Sequence, residues 1–132
     1  MNPDNFAAQQ LVEKIIAAFP DDSAVVDARV QSQGFEPKDA PYIWIEQFSQ
    51  LTTDALKAGD TTKARSHLQL ISGLLDSPDG ASANCVDVAY VEPLMWNMSE
   101  EEKKQGWLAI PQNLRNLYVA MWGKRPFMEH PG

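Results

Sequence analysis

Residues 41–75, PYIWIEQFSQLTTDALKAGDTTKARSHLQLISGLL, decide the fold. Trp44, Phe48, Leu51 and Ala55 recur at spacings of four, three and four, which places them on one helical face from Pro41 to about Lys57. Ala64, Leu68, Ile71 and Leu75 repeat the same template in a second helix. Between the two runs, Gly59 supplies a left-handed helix end and Asp60 an immediate cap for the next helix. Helices joined by so short a turn pack antiparallel, as a helical hairpin.

Working outward toward the N-terminus, Asn2-Pro3-Asp4 opens a helix, since asparagine caps, proline fits the first turn and aspartate favours the positive helix end. Ala8, Leu11, Ile15 and Ala18 give it one apolar stripe. Pro20-Asp21-Asp22-Ser23 reads as its stop and as the cap of a helix over Ala24 to Gln33. The stretch from Gly34 to Pro41 reads as a loop dividing an N-terminal arm, residues 1–40, packed on or flanking the main bundle, from a core domain, residues 41–123. Toward the C-terminus, Ser77 to Ala83 is a turn-rich break. Ser82 or Asn84 then caps a helix to about Asn97 carrying Val88, Val91, Met95 and Met98, kinked or restarted at Pro93. Ser99 with Glu102 forms a capping box for a helix over Glu100 to Ala109. Pro111 opens the last helix, with Leu114, Leu117 and Met121 aligned and Gly123 at its end; residues 124–132 read as a mobile tail. Val86 to Val91 is the only stretch where a strand competes with a helix. The expectation is an all-α, single-domain bundle of six or seven helices built from antiparallel hairpins.

The 132 residues carry a formal net charge of −7. That balance disfavours nucleic acid and anionic membrane surfaces, and leaves a basic protein as the partner that charge favours. The single cysteine, Cys85, cannot close an intrachain disulfide and suits a reducing cytoplasm. No run approaches the ~20 apolar residues of a membrane span, and MNPDNF lacks the basic and apolar pattern of a secretory signal.

Reactive groups in register are hard to find. His67 and His130 have no carboxylate or cysteine at ligand spacing, so neither a metal nor a cofactor is expected. His67 reads as a structural or surface residue, and Cys85 as a small buried one. Glu100, Glu101 and Glu102 are accounted for by the cap and the helix dipole. Lys103-Lys104 and Lys124-Arg125 are too short for nucleic-acid patches. Asp87 and Glu92 stand out because they interrupt the apolar VDVAYVEPLMW beside Tyr90 and Trp96. Asp87 can bond backbone amides in the first helical turn, and Glu92 can satisfy a group freed by the kink. Otherwise both belong to a surface that grips a basic partner. Trp44 holds a core position, whereas Trp96 and Trp107 are less clearly inward. Tryptophan and tyrosine dominate interface energies, so the candidate contact residues are Asp87, Tyr90, Glu92, Trp96 and Trp107.

The helical hairpin of residues 41–75, together with VDVAYVEPLMWNM and IPQNLRNLYVAMWG, resembles small all-helical bacterial domains associated with polymorphic toxin systems. There such domains act as immunity proteins, encoded beside a toxin and blocking it by direct contact. The resemblance covers about Pro41 to Gly123. It implies a cytoplasmic, non-catalytic inhibitor that occludes the active site of a toxin domain, for which an acidic surface would complement a basic one. It assigns no individual contact positions, because immunity surfaces differ between members. The alternative is a helical adaptor or scaffold with an unrelated cytoplasmic partner. An enzyme is disfavoured by the absence of a nucleophile–base or metal pattern.

Overall fold

The computed structural model describes residues 3–76 and 85–128, with side chains from Phe6 onward. Six α-helices and one π-helical segment run through the described residues, and no strand occurs among them. They are α1 (Pro3–Ala18), α2 (Pro20–Ser32), α3 (Pro41–Lys57), α4 (Thr61–Leu75), the π-helix (Val86–Val91), α5 (Glu100–Trp107) and α6 (Gln112–Trp122). Short 3-10 turns at Pro37–Asp39 and Pro126–Met128 complete the path. The all-α reading holds. The expected break at 77–83 and the caps at Ser82 or Asn84 lie outside the described residues.

Local chemistry explains most boundaries. Gly59 takes φ +78°, and the Asp60 carboxylate accepts from the Lys63 amide at 3.2 Å, so α3 and α4 form the expected hairpin. At α5 the Ser99 hydroxyl accepts from the Glu102 amide at 3.1 Å, while the Glu102 carboxylate accepts from the Ser99 amide at 2.8 Å. This is the reciprocal capping box the sequence announces. Two boundaries differ. Helix α2 begins at Pro20 rather than at 24, after a one-residue break at Phe19. Proline is pre-set for the first helical position, and Asp21 and Asp22 then sit where the helix dipole favours negative charge. The second difference is the expected helix to Asn97, which is π-helical only to Val91 and then breaks into turns. Within it the Glu92 amide reaches back five residues to the Asp87 carbonyl at 3.1 Å. Pro93 follows, and its missing N–H cannot continue either helical ladder.

Helix α3 is the axis of the bundle: α1, α2, α4, α5 and the π-helix all pack on it, and α6 closes the far side against the π-helix and α4. One apolar core runs from Ala8, Leu11 and Ile15 through Trp44, Phe48 and Tyr90 to Leu114, Tyr118 and Phe127. Of the two placements expected for the N-terminal arm, α1 and α2 take the packed one, since they supply part of the same core. The expected tail is likewise packed as far as Met128, with the Phe127 ring 5.7 Å from Trp107 and 6.2 Å from Tyr118.

Hydroxyls on α3 bind the irregular segment to this axis. Ser49 donates to the Tyr90 carbonyl at 2.6 Å, the Thr52 hydroxyl meets the Tyr90 hydroxyl at 2.9 Å, and Thr53 accepts from the Met95 amide at 2.9 Å. Buried backbone groups that a regular helix would have paired internally find their partners here.

Candidate binding cleft

The turn after the π-helix decides which side chains face outward. Its amides reach back three residues, from Leu94 to Val91, Trp96 to Pro93 and Met98 to Met95. Met95 and Asn97 both adopt left-handed backbone, at φ 65° and 66°. A non-glycine residue in that region costs ~1–2 kcal/mol and persists only when its surroundings impose it. The imposition is visible at Met95, whose amide is held by Thr53 and whose side chain is sealed in the core. Trp96, between the two, is pushed out to 57 % exposure.

Trp96 does not stand alone. Its ring lies 6.4 Å from that of Trp122, tilted by 39°, and Trp122 is anchored by its indole N–H to the Glu92 carbonyl at 3.2 Å. Tyr118 continues the series inward, 6.4 Å from Trp122. These rings form the apolar side of a surface cleft of about 370 Å³, with Glu92, Glu100, Lys103 and Arg125 around it. The two cations are already engaged: the Lys103 ammonium lies 5.7 Å from the Phe127 ring centre, and Arg125 Nε donates to the Trp122 carbonyl at 3.1 Å. Neither carboxylate forms a salt bridge among the described residues. Burial, and then the charge of Glu92, raises the Glu46 carboxyl above its ordinary value.

Of the five candidate contact residues, Glu92 and Trp96 meet in this cleft. Asp87 is half-buried on the π-helix and does not line it. Tyr90 and Trp107 are corrected from contact residues to core residues, at 0 % and 4 % exposure. The longer loop of the π-helix turns Tyr90 onto Phe48, 5.9 Å away, and Trp107 is closed over by Tyr118 and Phe127. Sequence reasoning passed over Trp122, Tyr118 and Phe127, whose approach to Trp96 depends on how α6 and the 3-10 turn fold back.

A second arrangement was also invisible in sequence. His67 is sealed from solvent, with Nε2 2.8 Å from Asp22 Oδ2 and Nδ1 2.9 Å from Thr52 Oγ1. Lys63 bridges to Asp22 at 3.1 Å. Burial pushes the His67 pKa below its ordinary value, partly offset by the hydrogen bond and charge of Asp22. Burial alone would raise the Asp22 carboxyl, but hydrogen bonds from His67 and Lys63 and their charges outweigh it, and its pKa falls. The consistent proton order is a neutral imidazole donating from Nε2 to ionised Asp22, Thr52 donating to Nδ1, and Tyr90 donating to Thr52. The order Asp22–His67–Thr52 superficially matches an orienter, a base and a nucleophile. Thr52 is itself completely buried, so in this conformation no substrate reaches it and the line joins α2, α4, α3 and the π-helix. Among the described residues no group of three or more His, Cys, Asp or Glu side chains could hold a metal ion, and no helix is long and apolar enough to cross a membrane.

Fold and cleft together define an α-helical bundle that presents a strained, aromatic surface loop. The chain belongs to the DUF7674 family, a domain of unknown function, whose profile matches residues 12–123. That match spans most of residues 1–40 together with the core region. No curated protein and no solved structure matches the chain.

Proposed function

We propose that the protein is a non-catalytic binding module that docks a basic protein partner in the Trp96 cleft. The observation that carries this reading is the exposed Trp96, held between two left-handed residues and beside Trp122. Strain of this kind gathers at functional sites, and a rigid, exposed tryptophan backed by a second ring is the usual form of an interface anchor. Glu92 and Glu100, unpaired among the described residues, suit a lysine or arginine of the partner, and the rings would shield such a pair from water. The partner class is a bacterial toxin domain neutralised by occlusion of its active site, an assignment that rests on the resemblance of residues 41–123.

The test takes as partner the product of the reading frame immediately upstream, which this reading expects to carry a toxin domain. Trp96→Ala and Glu92→Lys should each weaken binding by about 30-fold or more, as expected of an anchor worth ~2 kcal/mol, while the melting temperature hardly moves. Association should also slow as salt rises. Unchanged affinity in both variants removes the cleft from the interface. A neighbouring frame unrelated to toxins, with binding to another basic protein through Trp96, gives the adaptor reading instead.

A further inference from the structure

Lys124 does not line the partner cleft and Arg125 stands at its edge, and on their other side the fold gives this pair a third cation. Gly123 takes φ +76°, a geometry natural to glycine, and the chain turns back beside the helix it has just left. Lys124 and Arg125 thereby share a cleft of about 320 Å³ with Arg115 from the first half of α6. Trp107, Val119 and Met128 form its apolar side, and among the described residues no carboxylate lines it. In a chain with 18 acidic residues and a net charge of −7, three cations converging with no acid among the described lining residues is a local reversal of sign.

The dipole of α6 explains only part of this. Cations are favoured beyond a helix C-terminus, and Arg125 does bond the Trp122 carbonyl there. Arg115 is the fourth residue of α6, near its positive end, where the dipole disfavours a cation. That end has no side-chain cap on Pro111 and no acid in its first turn, so the first turn itself does not offset the positive potential. The Arg115 guanidinium is also held ready. It lies 5.1 Å from the Trp107 ring centre, its Nη2 donates to the Trp107 carbonyl at 2.7 Å, and its buried Nε has no hydrogen-bond partner among the described residues. A stacked guanidinium loses little freedom when it binds an oxyanion, and its planar fork matches phosphate oxygens.

We infer that the Arg115–Lys124–Arg125 cleft is a phosphate site, taking a phosphoryl group either free or as a small ester whose organic part lies against Trp107 and Met128. The full chain is titrated with inorganic phosphate, phenyl phosphate, acetate and chloride at one fixed ionic strength, read by thermal shift and calorimetry. A saturable response to phosphate well beyond those to acetate and chloride is expected. Tighter binding of phenyl phosphate identifies an organic ester as the ligand, and equal binding identifies free phosphate. Lys124→Gln, an exposed change that leaves the core intact, should weaken phosphate at least tenfold, as should Arg115→Gln. Trp96→Ala should leave the response unchanged, which separates this site from the partner cleft. Equal responses to phosphate and chloride, or undiminished phosphate affinity in Lys124→Gln, overturn the inference.

Discussion

Thr52 shows how much one hydroxyl can carry. It pairs with His67 Nδ1 and with the Tyr90 hydroxyl, both in the dry core. Thr52→Val keeps the shape and leaves two buried polar atoms unmet, at ~1–3 kcal/mol each. Urea unfolding should therefore show a loss of about 2–4 kcal/mol for Thr52→Val. Tyr90→Phe removes a donor and leaves the Thr52–His67 bond in place, so its loss should be clearly smaller. The same line of groups sets a pH dependence. Below about 6.5, the ordinary histidine value, the unfolded chain takes up a proton that folded His67 refuses, because its pKa is lowered. Stability should be level from pH 8 to 7 and fall as the pH drops through that value. Asp22 adds stability that is present above about 3.8 and is lost as the pH falls further, since its folded pKa is also lowered. Denaturation curves between about pH 2 and 8 check both steps, and His67→Asn should remove the first.

At the scale of an element, the segment from the π-helix to Ser99 departs most from regular structure. Its presentation of Trp96 depends on Asn97, an exposed residue at φ 66°. Asparagine tolerates that region, whereas a β-branched residue does not. Asn97→Val should destabilise the protein by about 1–2 kcal/mol and should also weaken partner binding by moving Trp96. Asn97→Gly accepts the same backbone and should leave both properties near those of the parent. If valine is tolerated in both melting and binding, the left-handed turn is not what holds Trp96 in place.

For the whole molecule, the question is whether α1 and α2 belong to the cooperative unit. Ile15 is fully buried in the core that also contains Trp44 and Phe48. Ile15→Ala should cost about 2–5 kcal/mol, the usual range for a buried aliphatic truncation. Calorimetry should still show one transition, moved to lower temperature. Two separate transitions, with only the first moved, would mean that residues 1–40 melt as an independent arm.

Where regular helices form, the sequence by itself determined them. The three-and-four spacing of Trp44, Phe48, Leu51 and Ala55, Gly59 with Asp60, and Ser99 with Glu102 each act within a few residues, so local chemistry suffices to read them. Glu92 and Trp96 were also legible as unusual, because acids and an indole interrupt an apolar run. What periodicity cannot tell is the surface against which a stripe packs. The same spacing that drew Val88, Val91 and Met95 into one α-helical face gave no sign that Ser49, Thr52 and Thr53 would hold a π-helix and a left-handed turn in its place. That exchange of hydrogen-bond partners spans about forty residues, and it is what buries Tyr90 and exposes Trp96. Only the tertiary structure closes Tyr118 and Phe127 over Trp107, brings Trp122 beside Trp96, and seats His67 between Asp22 and Thr52. Each of these depends on distant segments sharing one desolvated space, where an unmet polar group or an unfilled volume costs more than any local preference supplies.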